Sequence, residues 1–288
     1  MEIVKNKNLN WILLKESKTD DILAIKKKFH IHPLIIEELS TPTLRPKAVR
    51  YDNCLFLSLH IPLYDTENKT TYAGEIDIII TQDTLITSYD QNIFQLITFF
   101  NKVKNNKKER ERYMNQSPGA LLRYIIEMLL ETYFPRLDHI TQKLGYIEKE
   151  IFAGHEKEMV FEISLVKRDI LNFRRIIKPQ RSIFESLTQK NSQFIEPELN
   201  PYYQDLVGTN IRIWNILESD KETIESLEKT NNSLLSNKME IIMKVLTIFS
   251  AVALPATVYS NILAMSAHIP FADNPYAFWI HLSIMLFI

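Results

Sequence analysis

Glu240, Met243, Thr247, Ser250, Leu254, Thr257 and Asn261 follow one another in steps of three or four residues, so a helix carries all of them on one face. That face carries nearly every polar side chain of the apolar stretch: a carboxylate, hydroxyls and an amide. Residues 245–272 contain no Asp, Glu, Lys or Arg, so most of the stripe sits in an apolar stretch. A polar stripe on an apolar helix either packs on another helix through its small hydroxyl residues or lines a watery path. Spacing alone leaves both open. Glu240 weighs against packing alone, because a carboxylate at a membrane edge needs water beside it. Other chemistry is not visible. The chain shows no nucleophile–base pair, phosphate-binding glycine loop or His/Cys metal cluster, so an enzyme is not expected. His30 and His32 stand two apart and suit a helix start better than a metal site. The single cysteine, Cys54, excludes an intrachain disulfide and fits a buried thiol in a reducing compartment.

The elements that must position the stripe follow from hydropathy. A run of about 20 apolar residues spans a bilayer as a helix. Asp273 and Asn274-Pro275 interrupt the apolar end, and residues 276–288 are apolar again. The chain is expected to end in a membrane hairpin: a first span, an external loop over 266–275, and a second helix from 276 that is incomplete at 13 residues. Lys229, Lys238 and Lys244 precede the first span and the loop carries no Lys or Arg, which places the N-terminal part inside. No apolar leader opens the chain. The expected location is therefore the cytoplasmic membrane, crossed more than once, with the N-terminal domain in the cytosol. A net charge of −1 gives no sign of a nucleic-acid partner.

The fold class expected is α+β. Residues 1–90 form a cytosolic α/β domain, with short strands near 11–15, 54–60, 75–81 and 85–88. Helices are expected over 20–29, capped by Asp20, and over 33–39. Residues 91–200 are helical. The charged run 102–112 is a solvated helix face or loop. One long helix runs from Ser117-Pro118 to Ile151, bent at Pro135, turns at Ala153-Gly154, and is followed by an antiparallel helix over 156–186. Residues 201–265 form a stalk helix that continues into the first span. Ile213, Leu217, Ile224, Leu227 and Leu234 make an apolar stripe on it, with Asp220 and Asn231 as polar layers. A helix this long needs partners, and self-association supplies them.

Several segments together resemble the CorA-type magnesium channel family. They are His32-Pro33-Leu34 with Glu37-Glu38, Arg45-Pro46-Lys47, Tyr133-Phe134-Pro135 with Leu137-Asp138, and Lys167-Arg168 through Arg174-Arg175. Further on come Ser236-Asn237-Lys238, Met243-Lys244-Val245-Leu246-Thr247, Leu254-Pro255 with Thr257, and Asn274-Pro275-Tyr276-Ala277-Phe278-Trp279. The resemblance implies a homopentamer in membrane lipid, with a central pore lined by the first span. It implies Mg²⁺ as the transported ion, with Co²⁺ or Ni²⁺ as secondary candidates, and Mg²⁺ as a regulatory ligand with no other cofactor. The family's Gly-Met-Asn signature falls on Ala264, Met265 and Ser266 here, after Leu263; only the methionine is kept. Serine hydroxyls reach less far than amides toward a hydrated cation. Asn261 stands where the family usually has glycine, and Glu240 where it commonly has asparagine. Lys229 replaces an aspartate that binds regulatory Mg²⁺, and an ammonium cannot ligate a cation. Asp205 keeps another acidic position of that region. The alternatives are a zinc transporter of the same family and a non-conducting, membrane-anchored regulatory or structural paralogue.

Overall fold

The computed structural model describes residues 1–7, 9–15, 19–43, 45–89, 93–188, 193–264, 271 and 274–287. It divides into two units, Met1–Glu228 and Lys229–Ile288. The fold is α+β. In the first unit, β1 (Glu2–Asn6), β2 (Leu9–Lys15), β3 (Lys47–Arg50), β4 (Leu55–Asp65), β5 (Thr70–Ile80) and β6 (Thr84–Tyr89) form one sheet in the order β1-β2-β6-β5-β4-β3. All neighbours are antiparallel except β2 and β6, which pair in parallel with Ile12 opposite Ile86. The sheet is covered on both faces, so β5 is buried nearly throughout its second half and reads as a run of isoleucines instead of an alternation. On one face Ile12, Leu14, Phe56, Ile79 and Ile86 pack with Ile22 and Ile25 of α1 (Thr19–Phe29) and Ile35 of α2 (Pro33–Glu38). On the other face Trp11 packs edge-on against Phe100 of α3 (Phe94–Asn105).

Local expectations are met where side chains set them. His32 caps α2 by accepting the Leu34 N–H through Nδ1 at 3.2 Å, a helix start as read. Cys54 is fully buried, and burial pushes its thiol up to about 11. The charged run becomes the end of α3 and the short α4 (Lys107–Met114), separated by Asn106, whose side chain accepts from the N–H groups of Lys108 and Glu109. α1 begins at Thr19, one residue before the expected start, and the capping expected of the Asp20 side chain lies outside what is described.

One larger expectation fails, and the role of one apolar stripe is revised. The helix from Pro118 does not continue past Pro135. It ends as α5 (Pro118–Glu131), and α6 (Phe134–Phe152) starts anew with Pro135 in its first turn. Proline has no N–H to give to the carbonyl four residues back. Thr132 instead closes the helix, its hydroxyl donating to Leu129 O at 2.6 Å. The revision concerns α8 (Asn200–Ala264). Ile213, Leu217, Ile224 and Leu227 are buried within the single chain, so they are not evidence of self-association. α8 lies against α6 and against α7 (Glu156–Leu187) through Lys167–Glu228 at 2.6 Å, Arg174–Glu218, and Arg174 stacked 4.8 Å from the Trp214 ring.

The start of α8 is tied to α5. Tyr203 Oη donates to Gly119 O at 2.8 Å, and Ser117 Oγ donates to Glu196 Oε2 at 2.6 Å. Gly119 permits the approach: a Cβ there would lie 2.9 Å from the Phe194 carbonyl oxygen. α7 is in turn tied to the β4–β5 hairpin, where buried Asp169 accepts the Thr71 N–H at 2.6 Å and pairs with Arg136. In the second unit, α8 continues to Ala264 and is followed by α9 (Ala277–Phe287). Asn274 starts α9, its Oδ1 accepting the Tyr276 N–H at 2.9 Å.

Candidate functional site

Among the described residues, α8 is the one helix long and apolar enough to cross a membrane by length and composition. Glu240, Met243, Thr247, Ser250, Leu254, Thr257 and Asn261 all lie on it and all are exposed. Exposure does not single them out, since Val245, Phe249 and Val252 on other faces are exposed too. Their chemistry does. Thr247 Oγ1 donates to Met243 O at 2.8 Å, and Thr257 Oγ1 donates to Ala253 O at 2.7 Å. Each hydroxyl proton is thus spent on the helix's own backbone. The oxygen lone pairs remain directed outward, where they can accept from water or meet a cation.

The opposite side of α8 is used. Tyr259, Ser260 and Leu263 line a groove of about 270 Å³ with Phe278, His281, Leu282 and Met285 of α9. Tyr259 lies two residues from both Thr257 and Asn261, so at 100° per residue it points roughly 160° away from each. The second helix therefore covers the back of the first and leaves the polar face clear.

Ala264 is the exposed last residue of α8, while Met265 and Ser266 lie outside the described residues. Asp205 and Lys229 are both exposed on α8, and among the described residues no group of three or more His, Cys, Asp or Glu is arranged to hold a metal. The structure adds residues that the stripe pattern does not name. Tyr259 and His281 meet through Oη and Nδ1 at 2.6 Å; the signal for them was an ionisable residue inside an apolar helix. In the first unit Asp220 is 5% exposed, its Oδ1 accepts from Thr141 Oγ1 at 3.3 Å, and its Oδ2 meets no hydrogen-bond donor. Burial raises its carboxyl to about 6, with the Thr141 hydrogen bond opposing the rise.

The sequence profile of the family described as CorA-like Mg²⁺ transporter protein matches residues 6–288. The chain belongs to that family. Its members are ion transporters and not enzymes. The chain is 27% identical over 254 residues to the cobalt/magnesium transport protein CorA of Thermotoga maritima, covering 86% of this chain and 70% of that one. It is 22% identical over 281 residues to the CorA protein of Methanocaldococcus jannaschii, covering 97% and 87%. The complete structure of that CorA magnesium transporter superposes with a TM-score of 0.84 at 20% identity, over 99% of this chain and 88% of the other. The CorA fold thus extends through both units of the chain.

Proposed function

We propose that the chain is the subunit of a homopentameric divalent-cation channel in the cytoplasmic membrane, with Mg²⁺ as its principal ion. The first unit lies in the cytosol, and the chain crosses the membrane through α8 and again after the loop. The face of Glu240, Met243, Thr247, Ser250, Leu254, Thr257 and Asn261 is the wall of the pore. The observation that carries this is the two-sidedness of α8: α9 covers its back at Tyr259 and Leu263, and the oxygens of the opposite face stay free of that helix. Mg²⁺ sheds its water reluctantly, so a wall of hydroxyl and amide oxygens suits passage of the hydrated ion. Glu240 forms an acidic ring at the cytosolic end, which concentrates cations electrostatically. Ala264, Met265 and Ser266 form the outer mouth, where serine replaces the longer amide. Asp205 is the acidic position kept for a regulatory Mg²⁺ in that region of α8, since Lys229 repels one. The name of the Thermotoga maritima relative, a cobalt/magnesium transport protein, supports the choice of ions.

The test is uptake of Mg²⁺, Co²⁺ and Zn²⁺, side by side, into liposomes containing the purified full chain. Mg²⁺ uptake is expected, and Glu240→Gln should lower it. Zn²⁺ uptake with no Mg²⁺ uptake would move the reading to a zinc transporter. No uptake of any ion from correctly inserted protein would refute conduction and leave the non-conducting reading. Restoring the family signature, with Ser266→Asn and Ala264→Gly, should raise Mg²⁺ uptake.

A further inference from the structure

Both membrane helices carry a large side chain that lipid would not satisfy. Tyr259 of α8 and His281 of α9 face each other, with Oη 2.6 Å from Nδ1 and ring centroids 6.0 Å apart. A polar group facing hydrocarbon is costly without a partner, so each ring gives the other a reason to stay. The surrounding contact is apolar. On α9 it uses Phe278, His281, Leu282 and Met285, one helical face at steps of three and four. A groove of about 270 Å³ opens along this contact. Apolar contacts across such a groove tolerate rotation and sliding; a hydrogen bond does not.

We infer that Tyr259 and His281 are a positioning pair: their hydrogen bond pins the second membrane helix to the back of α8 and so fixes the rotation of α8 that turns Thr257 and Asn261 toward the ion path. The inference rests on the reading of that face as the pore wall. The geometry favours it in two ways. Tyr259 sits between Thr257 and Asn261 in sequence and opposite them around the helix, so a rotation that breaks its bond also carries their oxygens off the path. Leu263 lines the same groove and directly precedes Ala264, so the pair also sets where the outer mouth begins. Neither residue touches the ion; both act through α8.

The test uses the full chain in liposomes with Tyr259→Phe, His281→Leu and His281→Asn. Asparagine offers both a donor and an acceptor close to the place of Nδ1, so it serves whichever ring donates. Interhelical hydrogen bonds in membranes shift a docked-to-undocked ratio by about threefold on average and about twentyfold at most. Two readouts are taken. The first is cross-linking between Leu263→Cys and Leu282→Cys across the groove, which reports docking whether or not ions pass. Its yield should fall by about threefold or more in Tyr259→Phe and His281→Leu and recover in His281→Asn. The second is the ratio of Mg²⁺ to Co²⁺ uptake, which a merely structural loss of protein would leave unchanged. That ratio should move in the first two variants and return in the third, and the double variant should be no worse than either single one. Equal cross-linking with and without the bond overturns the proposal. So does an altered cross-link with an unaltered ion ratio in a conducting parent. A weakened cross-link in a parent that conducts nothing refutes the pore reading and leaves the pinning in place.

Discussion

Asp220 offers the sharpest energetic test of how α8 is held. Its carboxyl is 5% exposed, and the sole described hydrogen bond, from Thr141, is long at 3.3 Å. The neighbouring cations are committed elsewhere: Arg174 pairs with Glu218 and Lys167 with Glu228. Burial therefore dominates and lifts the carboxyl from 3.8 to about 6. At 1.36 kcal/mol per pH unit that difference is worth about 3 kcal/mol. The sign is fixed by where the proton sits. Well below pH 3.8 the group is neutral in both the folded and the unfolded chain, and its burial carries no ionic cost. As pH rises through about 6 the folded form must ionise as well, and that contribution to stability is lost. Asp220→Asn removes the titration. Its amide leaves an unmatched donor where Oδ2 stood, a constant offset of about 1–3 kcal/mol at every pH. The stability of Asp220→Asn minus that of the parent should therefore rise by about 3 kcal/mol from well below pH 3.8 to above about 6, most steeply between those two values. Thr141→Val, which deletes the opposing hydrogen bond, should extend the rise to higher pH. The assay is denaturant unfolding of the full chain in detergent at a series of pH values, followed by tryptophan fluorescence. A difference that does not vary with pH would refute the buried, unmatched carboxylate and the tight apposition of α6 and α8 that creates it.

Three further outcomes are expected. Gly119→Ala should cost about 1–3 kcal/mol by forcing the Phe194 carbonyl away from a Cβ only 2.9 Å distant, read as a lower unfolding midpoint and faster proteolysis just before α8; unchanged values would show that the 194–196 segment moves freely. Asp169→Ala should cost roughly 3–5 kcal/mol, because it strips Arg136 of its partner and leaves the Thr71 N–H unmet; a loss under 1 kcal/mol would mean water replaces the carboxylate. Protease protection of the first unit should change little between zero and millimolar Mg²⁺, because Lys229 stands where a ligand would be needed; strong protection that Asp205→Asn abolishes would place regulation at Asp205 instead.

The parts of this fold that were legible in the sequence are those whose side chains carry the pattern. β5 and β6 announce themselves as apolar runs because both faces of the sheet are covered, and α7 shows its period because one face packs on the sheet. β1 and β3 did not announce themselves. Each is an edge strand with largely exposed or half-buried side chains, held by backbone pairing to β2 and β4, and backbone pairing leaves no trace in residue type. The break before α6 was misjudged for a different reason. A proline in an amphipathic pattern can kink or stop a helix, and the choice turned on Thr132 closing the helix end, a three-residue contact that periodicity does not see. The stripe on α8 was visible at full length, but its meaning was not. The same spacing serves burial against α6 and α7 in the first unit and exposure of oxygens in the second.

That division along α8 is itself the physical case for assembly. From Ile213 to Leu227 the apolar stripe is consumed within one chain and asks for nothing further. From Glu240 to Asn261 the described hydrogen bonds of the polar face are those of Thr247 and Thr257 to their own helix. An exposed serine and asparagine on a helix in hydrocarbon would go unsolvated, at a cost, and the carboxylate of Glu240 at the edge of the span needs water beside it. α9 does not relieve that cost, because Tyr259 and Leu263 hold it on the other side. In the assembly proposed above that cost is removed, because copies of the same face would enclose water, and a ring of such faces is also an arrangement that would let a hydrated cation pass.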